Sequence, residues 1–225
     1  MSEKIYSKNL LNYDYSIARE LFEDVLFPWE AFEKLAEYIA ALGEKLPSDR
    51  YEKRGENVWV AKSARIFETA YLNGPLIVGE NTEVRHCAFI RGCAIIGDNC
   101  VVGNSTEIKG SILFDNVQTP HYNYIGDSIL GYKSHTGAGV ITSNLKSDKS
   151  EVTVKVDGEK QTTGRKKFGA IIGDNTEVGC NSVLNPGTIV GRNTIIYPLS
   201  MVRGYVAENS IYKNCNEICT KVMRC

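Results

Sequence analysis

Aliphatic side chains return at every sixth position in two long stretches of the chain, and the residues between them are mostly small or polar. A helix would repeat its apolar residues about every 3.6 positions, and a strand meander would show turns about every 8 to 12 residues. Neither period fits this chain. The aliphatic residues of the two stretches are Val78, Val84, Ile90, Ile96, Val102 and Ile108, and then Ile172, Val178, Leu184, Val190, Ile196 and Val202.

Glycine and asparagine occupy fixed places within the six-residue unit. Glycine recurs directly after the aliphatic residue, as at Gly79 and Gly97, and asparagine three places after it, as at Asn81 and Asn99. Asparagine tolerates the positive φ that tight corners require better than most residues other than glycine. The pattern therefore predicts an all-β solenoid in which three units form one triangular coil and coils stack about 4.8 Å apart.

Two segments flank the predicted solenoid. We assign residues 56–204 to the solenoid, residues 1–55 to a helical N-terminal segment and residues 205–225 to a C-terminal tail. In the N-terminal segment, Pro28 suits a first helical turn and Gly43 suits a helix end. We interpret this helix as a packing element or an oligomer contact. Its apolar face is expected to contain Phe32, Leu35, Ala36, Ile39 and Ala40.

An insertion over residues 144–168 interrupts the repeat. Its central sequence predicts a hairpin on an Asp157-Gly158 turn, projecting from the coil. Basic residues outnumber acidic ones there by seven to four, and Arg165, Lys166 and Lys167 are adjacent. Two interpretations remain open: a solvated surface hairpin, or an arm that helps to bind the phosphates of a ligand.

The repeat also loses its register between the two regular stretches, where Tyr124, Leu130, Thr136 and Thr142 continue it weakly. The interval from Ile108 to Tyr124 is two positions short of three full units, so this segment cannot complete a regular coil. An altered corner is a place where a solenoid can re-aim a side chain, and His121 lies in this segment. We therefore expect the altered corner to present His121 to a ligand.

Composition narrows the functional classes. The 225 residues carry a net charge of -1 and are 43% hydrophobic, with no broad basic region that would indicate nucleic-acid binding. No segment reads as a signal peptide or as a membrane span, so we expect a cytoplasmic protein. Seven cysteines without a C-x-x-C pair are expected to be mostly free thiols. Cys215, Cys219 and Cys225 leave a metal site in the tail as a minor alternative.

At this level the chain resembles the hexapeptide-repeat family. The resemblance covers residues 56–204 and implies a single-stranded left-handed parallel β-helix. Members of that family are mostly trimeric acyltransferases, so a homotrimer is the implied assembly. Fold alone does not fix the substrate.

The segment "PHYNYIGDSILGYKSHTGAGVITSN" resembles the acetyltransferase domain of the bifunctional glucosamine-1-phosphate acetyltransferase and N-acetylglucosamine-1-phosphate uridylyltransferase family. By this resemblance His121 is the general base and Tyr124 helps to hold the sugar phosphate. The upstream segments "FIRG" and "GNSTEIKG" are similar to further sugar-site segments. They imply that Arg91 and Lys109 contact the phosphate and that Glu107 lies near the histidine.

The same resemblance assigns residues downstream. "TGAGVITSN" matches a glycine-rich turn whose backbone N–H, here that of Ala138, binds the oxyanion, and it implies a substrate or coenzyme contact for Asn144. His135 stands where many members carry asparagine, and we assign it a possible substrate contact. Lys167 and Cys180 fall near positions that line the coenzyme tunnel, where the family usually has a small residue in place of Cys180.

These residue types suit acyl transfer to an amine on chemical grounds as well. A protonated sugar amine must lose a proton before it attacks a thioester, and a histidine with a pKa near 6.5 can accept that proton. A carboxylate such as Glu107 would orient the imidazole. Arg91 and Lys109 suit a sugar phosphate. A covalent acyl-enzyme at Cys180 is the weaker alternative.

Other functions remain alternatives. Three histidines, His86, His121 and His135, suggest a zinc enzyme of the γ-carbonic-anhydrase type, although their spacings of 35 and 14 differ from that family's. A non-catalytic scaffold or regulatory subunit is a second alternative. Uridylyl transfer is not expected, because residues 1–55 contain no glycine-rich phosphate loop.

The hypothesis from the sequence is an N-acetyltransferase that uses acetyl-CoA as cosubstrate and requires no metal. Its acceptor is expected to be an aminosugar, specifically a hexosamine 1-phosphate, as in sugar-nucleotide biosynthesis. The coenzyme is expected to lie in a groove between neighbouring prisms of a homotrimer, with no membrane or nucleic-acid partner.

Overall fold

The computed structural model describes residues 2–213 and 217–220. Within them the chain forms a left-handed parallel β-helix, as the repeat predicts, with three sheets as the faces of a prism. Cys215 and Cys225, and the side chain of Cys219, lie outside the described part, so the metal alternative for the tail concerns residues that are not described.

The first sheet has nine strands, and all of its strand pairs are parallel except the first pair. In spatial order these strands are β1 (Tyr51–Gly55), β2 (Val58–Ala61), β5 (Leu76–Val78), β8 (Ala94–Ile96), β11 (Ile112–Leu113), β14 (Ile129–Leu130), β19 (Ala170–Ile172), β22 (Thr188–Val190) and β25 (Tyr205–Val206).

The second sheet also has nine strands, and the third has seven. The second contains β3 (Arg65–Ile66), β6 (Glu83–Val84), β9 (Val101–Asn104), β12 (Gln118–His121), β15 (His135–Thr136), β20 (Glu177–Val178), β23 (Ile195–Ile196), β26 (Ser210–Lys213) and β27 (Glu217–Thr220). The third contains β4 (Tyr71–Leu72), β7 (Phe89–Arg91), β10 (Glu107–Lys109), β13 (Tyr124–Gly126), β16 (Ile141–Thr142), β21 (Val183–Leu184) and β24 (Met201–Val202).

The six-residue period places one aliphatic side chain per strand inside the prism. Val78, Val84 and Ile90, from three successive strands, are fully buried. Asn81 and Asn99, at the corner between the first and second sheets, have φ near 56° and 55°. Their amides also stack, with Asn81 Nδ2 donating to Asn99 Oδ1 at 3.4 Å. The corner asparagines thus supply both the left-handed backbone and a side-chain ladder.

The coil shortens at a different corner from the one that the sequence suggested. Ile77 pairs with Ile95, which follows it by three full units, but the interval from Ile95 to its next partner, Ile112, is one position shorter. The earlier coil has two residues with positive φ between the third and first sheets, Gly92 and Cys93, whereas the next coil has Gly110 alone. The missing residue therefore belongs to the corner between the third and first sheets.

The corner that carries His121 keeps its full length. Asn104 pairs with His121 before this corner and Ile108 pairs with Ile125 after it, and the two sequence intervals are equal. Ile125, not Tyr124, continues the inward series, so the expected loss of two residues at His121 was wrong. Tyr124 instead faces outward beside Glu107, its partner in the ladder.

The N-terminal segment covers the outer surface of the first sheet. It contains 3-10 helices at Glu3–Ile5, Tyr13–Tyr15 and Pro28–Glu33, and α-helices α1 (Ser7–Leu10), α2 (Arg19–Glu23) and α3 (Leu35–Gly43). Under this layer the outward residues of the sheet are fully buried; they are Ile77, Ile95, Ile112, Ile129, Ile171 and Ile189.

The expected helix of this segment is split into a 3-10 turn from Pro28 and α3. Leu35 and Ile39 are buried as expected, but Ala36 is exposed, because its position turns away from the sheet. Gly43 ends α3, and a Cβ there would lie 2.3 Å from the Trp59 ring. The helix end therefore requires glycine for close packing.

The insertion folds as the hairpin β17 (Thr153–Val156) and β18 (Glu159–Thr162), turning at Asp157-Gly158. The expectation that it projects was wrong: Val154 is 0% exposed and Val156 5%, and β17 packs on β22 and β25. Alternating valines give the hairpin one apolar face, which is buried against the coil. At its tip, Asp157 accepts hydrogen bonds from Lys4 and Ser2.

Parallel pairing also continues beyond residue 204. β25 and β26 pair with β22 and β23, so the prism extends into the segment that the sequence assigned to a tail. The last coil is shorter, since Ile195 and its partner Ile211 are separated by two positions fewer than three full units, and this obscures the period. Among the described helices, none has the length and apolar character needed to cross a bilayer.

Candidate active site

A network of polar side chains lies on the outer surface of the third sheet. Arg91, Lys109 and Gly126 are aligned on β7, β10 and β13, and Glu107 is aligned with Tyr124. Because side chains alternate along a strand, the inward Ile108 places both of its neighbours, Glu107 and Lys109, outside the prism. The solenoid register thus brings together residues from three coils.

Arg91 and Glu107 form one half of this network. Arg91 Nε donates to Glu107 Oε1 at 2.8 Å, and the two side chains are 40% and 30% exposed. The guanidinium also lies 5.6 Å from the centre of the Phe89 ring. Since a guanidinium has five N–H donors and the ion pair uses one, the terminal nitrogens can still bind an anion.

Lys109 and Asp127 form the other half, and they are less exposed. Lys109 Nζ lies 2.9 and 3.1 Å from the two carboxylate oxygens of Asp127. The side chains are only 19% and 11% exposed. The Asn144 amide donates both to the same carboxylate and to the Tyr124 hydroxyl, the latter at 3.2 Å. Asn144 therefore links Tyr124 to the Lys109–Asp127 pair.

Tyr124 lies in the middle of the network. A Cβ on Gly126 would lie 2.6 Å from the Tyr124 hydroxyl, so glycine leaves room for the ring to fold across the strand. Burial raises the pKa of the Tyr124 phenol, and the carboxylates of Glu107 and Asp127 raise it further. The hydroxyl therefore remains protonated at neutral pH and can donate a hydrogen bond.

The His121 side chain is exposed at the end of β12, at the corner between the second and third sheets. No hydrogen bond to its ring occurs among the described residues. The backbone N–H of His121 donates to Asn123 Oδ1 at 3.2 Å, and Asn123 Nδ2 donates to Gly137 O at 2.7 Å. The buried Asn123 thus fixes the backbone from which the imidazole extends.

His121, Ala138 and Cys180 occupy the same corner on three successive coils. The backbone N–H of Gly139, the residue after Ala138, donates to His121 O at 3.0 Å. The backbone N–H of Asn181, the residue after Cys180, donates to Ala138 O at 2.8 Å. In the described chain the Ala138 N–H itself donates to no acceptor. This corner therefore presents an imidazole, an unpaired N–H and a thiol in a row.

Glu107 does not have the partner that the sequence suggested. Its carboxylate binds Arg91, and no described hydrogen bond joins it to the His121 ring. The position of Glu107 beside Tyr124 in the ladder explains this, because the outward side chain points across the third sheet towards Arg91. Glu107 therefore holds the guanidinium in this structure.

The other two histidines lie apart from this network. His135 is on the second sheet, where Nδ1 lies 2.7 Å from Glu177 Oε2. His86 Nδ1 lies 3.0 Å from the Thr69 hydroxyl. Nowhere in the described residues do three histidine, cysteine, aspartate or glutamate side chains come together as metal ligands. Neither the substrate contact of His135 nor the three-histidine zinc site is supported by this arrangement.

The basic run after the hairpin is also separate from the network. Arg165 lies 5.1 Å from the Phe32 ring centre, against the N-terminal layer, while Lys166 and Lys167 are exposed. Lys167 forms an isolated bridge with Leu145 beside Asn144. Asp127 is the site residue that the sequence reasoning missed, although it stands in the quoted motif directly after Gly126.

Two family models match the chain. Residues 72–163 match the GMPPB C-terminal domain, and residues 169–204 match the bacterial transferase hexapeptide (six repeats), which here forms strands β19 to β24. The second match shows hexapeptide repeats at residues 169–204. It agrees with the resemblance inferred from the repeat and with the burial of one aliphatic residue per unit.

The curated proteins that this chain resembles are longer than it. The bifunctional protein GlmU of Methanococcus vannielii is 44% identical over 110 residues, which are 48% of this chain and 26% of that protein. The bifunctional sugar-1-phosphate nucleotidylyltransferase/acetyltransferase of Sulfurisphaera tokodaii is 36% identical over 109 residues, 48% of this chain and 27% of that protein. The chain thus spans about a quarter of the length of these curated relatives.

Among solved structures, the chain has a low similarity to a variant of AntD. AntD is an N-acyltransferase from Bacillus cereus, and this structure is its complex with dTDP-4-amino-4,6-dideoxyglucose and coenzyme A. The TM-score is 0.43 and the identity 16%, over 80% of this chain and 89% of that chain. This similarity is too low to support an argument about ligands.

Proposed function

We propose that this hexapeptide-repeat protein transfers the acetyl group of acetyl-CoA to the amine of an aminosugar, specifically a hexosamine 1-phosphate. The observation that carries the proposal is the polar network on the third sheet beside the corner of His121. The network offers cations, carboxylates and a phenol on the sheet that begins at the His121 corner. The His121 ring has no partner among the described residues. The similarity of the chain to the two longer relatives supports a sugar-phosphate acceptor.

In this proposal Arg91 and Lys109 bind the phosphate. Each cation is already held by a carboxylate, so its position is fixed before the substrate arrives. Arg91 has unused N–H groups for a phosphate oxygen, and the Tyr124 hydroxyl and the Asn144 amide supply neutral hydrogen bonds. Glu107 and Asp127 are available as acceptors for sugar hydroxyls.

His121 accepts the proton. The free amine nitrogen attacks the thioester carbonyl carbon, a C–N bond forms, and the C–S bond breaks with release of the thiolate of the coenzyme. The proton lost by the amine passes to the imidazole, a transfer that contributes typically about 10²- to 10⁴-fold in rate. The Ala138 N–H, one coil away, stabilises the oxyanion of the tetrahedral intermediate.

The coenzyme lies along the same corner. Cys180 follows Ala138 by one coil, so it stands about 10 Å from His121 along the prism, the distance of two stacked strands. Its exposed thiol faces the coenzyme. Arg165, Lys166 and Lys167 lie at the other edge of the third sheet, so in this proposal they supply positive charge for the phosphates of a coenzyme shared with a neighbouring subunit. No covalent intermediate on Cys180 is required by this route.

A homotrimer completes the site. The first sheet is covered by the N-terminal segment, whereas the third sheet leaves large apolar side chains exposed: Tyr71 at 61% and Met201 at 62%. Leu199, at the corner of His121, is 75% exposed. Tyr71 and Met201 lie at the two ends of the sheet, and exposed apolar side chains spread along one face mark an interaction site. We therefore place the neighbouring subunits against the third sheet and this corner.

The test is a substrate panel with the purified chain. Release of free thiol from acetyl-CoA is measured with glucosamine, galactosamine, their 1-phosphates and a simple primary amine, and the N-acetyl product is identified by mass. The proposal expects the highest kcat/KM with a hexosamine 1-phosphate and a much higher KM for the sugars without phosphate. If no aminosugar is acetylated, a non-catalytic scaffold becomes the better explanation.

A further inference from the structure

A cavity of about 270 Å³ lies between the hairpin and the corner that joins the third and first sheets. It is remote from His121, which lies at the corner between the second and third sheets. Its wall contains four cationic side chains and no carboxylate. The lining residues are Lys146, Thr153, Lys155, Lys160, Pro186, Arg203 and Gly204.

Two glycines of the coil set the position of the hairpin above this corner. A Cβ at Gly187 would lie 2.7 Å from Thr153 O, and one at Gly204 would lie 3.1 Å from Lys155 O. Both glycines have positive φ, 82° and 73° respectively. The hairpin backbone therefore approaches the coil closely, and Lys155 is held near Arg203, the neighbour of Gly204.

The charges around the cavity are compensated only weakly. Hydrogen bonds from Ser150 lower the pKa of the Asp148 carboxyl, and Lys146 lowers it further without forming an ion pair with it. Lys155 and Lys160 are direct partners across the hairpin, an arrangement of like charges that destabilises a strand pair. Neither they nor Lys146 and Arg203 form an ion pair with any described residue. Lys146 Nζ donates to Glu151 O at 2.6 Å and to the Ser150 hydroxyl at 3.3 Å, both neutral acceptors.

We propose that this cavity binds the phosphoryl group of a small-molecule ligand. A phosphoryl group carries the negative charge that four converging cations lack, and Arg203 and the lysines match it with a planar fork and point charges. The volume suits one phosphate or a diphosphate, because it is below the roughly 300 to 1,000 Å³ of whole-ligand pockets.

An adjoining cavity provides room for the rest of the ligand. It shares Lys146, Pro186 and Arg203 with the first, and it adds neutral polar groups from Ser143 and Asn185. Asp148 lines only this second cavity, away from the paired lysines. The phosphoryl group could belong to the nucleotide part of a coenzyme or to a separate phosphorylated metabolite, and both carry the chemistry that the cavity recognises.

The test measures binding of inorganic pyrophosphate to the full chain by calorimetry at low salt. The variant is Lys155→Gln with Lys160→Gln, and the matched control is Lys45→Gln with Lys62→Gln. Both change the net charge equally, and the control lysines are exposed and lie outside both cavities. Because the paired lysines repel each other, their replacement should leave the melting temperature unchanged or higher.

The proposal expects wild-type binding that weakens with added salt, a loss of about 10-fold or more in the Lys155/Lys160 variant, and a change within about 2-fold in the control. Equal affinity in variant and control, or no binding by the wild type, would overturn it. A further arm compares CoA with 3′-dephospho-CoA. If the Lys155/Lys160 variant loses affinity for CoA but not for 3′-dephospho-CoA, the phosphoryl group belongs to the coenzyme. If its affinity for CoA is unchanged, the phosphoryl group belongs to a separate ligand.

These binding measurements need no turnover. An inactive chain that still binds pyrophosphate at this cavity would contradict the proposed acetyl transfer without contradicting the phosphoryl site. An active chain whose pyrophosphate affinity is the same in variant and control would contradict the phosphoryl site without contradicting the proposed acetyl transfer.

Discussion

Replacement of Lys109 by methionine tests the charge pair at the centre of the network. It removes an ammonium group that contacts both oxygens of Asp127, at 2.9 and 3.1 Å, between side chains that are 19% and 11% exposed. Truncation of one partner of a fully buried pair costs about 3–5 kcal/mol. Because Asn144 still donates to Asp127 and both residues retain some solvent contact, we expect a loss of about 2 kcal/mol in unfolding free energy.

The assay is urea unfolding of the wild type, Lys109→Met, Asp127→Asn and the double variant. Removing both charges leaves no uncompensated carboxylate, so the double variant should lose about 1–2 kcal/mol less than the sum of the single losses. Lys4→Met is the matched control, since its pair with Asp157 has a similar distance of 2.7 Å but exposures of 54% and 50%. It should change stability far less. Additivity of the Lys109 and Asp127 effects within about 0.3 kcal/mol would refute the reasoning.

Other parts of the fold provide three further predictions. Burial raises the pKa of Asp115 to about 6. The protonated carboxyl therefore stabilises the fold fully below about pH 4, and this stabilisation is lost as the pH rises through 6. Asp115→Asn should therefore gain about 2 kcal/mol relative to wild type between pH 4 and 7 in urea unfolding, and a constant difference would contradict this. Gly43→Ala should cost about 1–3 kcal/mol by collision with Trp59, whereas Gly55→Ala, whose Cβ would meet nothing nearer than 3.7 Å, should cost little in the same assay. Met201→Glu should lower the molecular mass of the proposed trimer in light scattering, while Leu26→Glu, 46% exposed on the N-terminal layer, should not; an unchanged mass for both would contradict an interface on the third sheet.

The fold could be predicted from the sequence because each six-residue unit repeats the same local requirement. One aliphatic residue fills the prism interior, and a corner asparagine accepts positive φ, as at Asn81 and Asn99. Where one coil differs from the next, the period alone was insufficient. Tyr124 was taken as an inward residue because the sixfold count back from Leu130 crossed a second shortened corner, where Asp127 alone has positive φ.

The candidate site was predictable in part. Arg91, Lys109, Tyr124 and Asn144 do meet on one surface, since residues at intervals of about one coil become neighbours. The partners within the site were not predictable, because they depend on which way each side chain points. Glu107 turns to Arg91 instead of His121, and Asp127 binds Lys109 from the shortened corner.

The N-terminal helix was interpreted as a packing element or an oligomer contact, but neither the sheet that it covers nor the packing of the hairpin was predicted. A β-helix interior and its outer surface both contain isoleucine, as in the adjacent pair Ile95 and Ile96, so composition does not reveal that a second layer covers the sheet. In the hairpin, the alternation of Val152, Val154 and Val156 was the available signal for a buried face. That alternation should have outweighed the excess of basic residues in the insertion as a whole.

The rate of thiol release with glucosamine 1-phosphate by wild type and His121→Ala, measured side by side, tests the central claim most directly. The account predicts a fall in kcat of about 10²- to 10⁴-fold with an unfolding free energy close to that of the wild type, because the exposed imidazole has no partner within the described chain. A rate within a few-fold of the wild type would contradict the assignment of His121 as the general base.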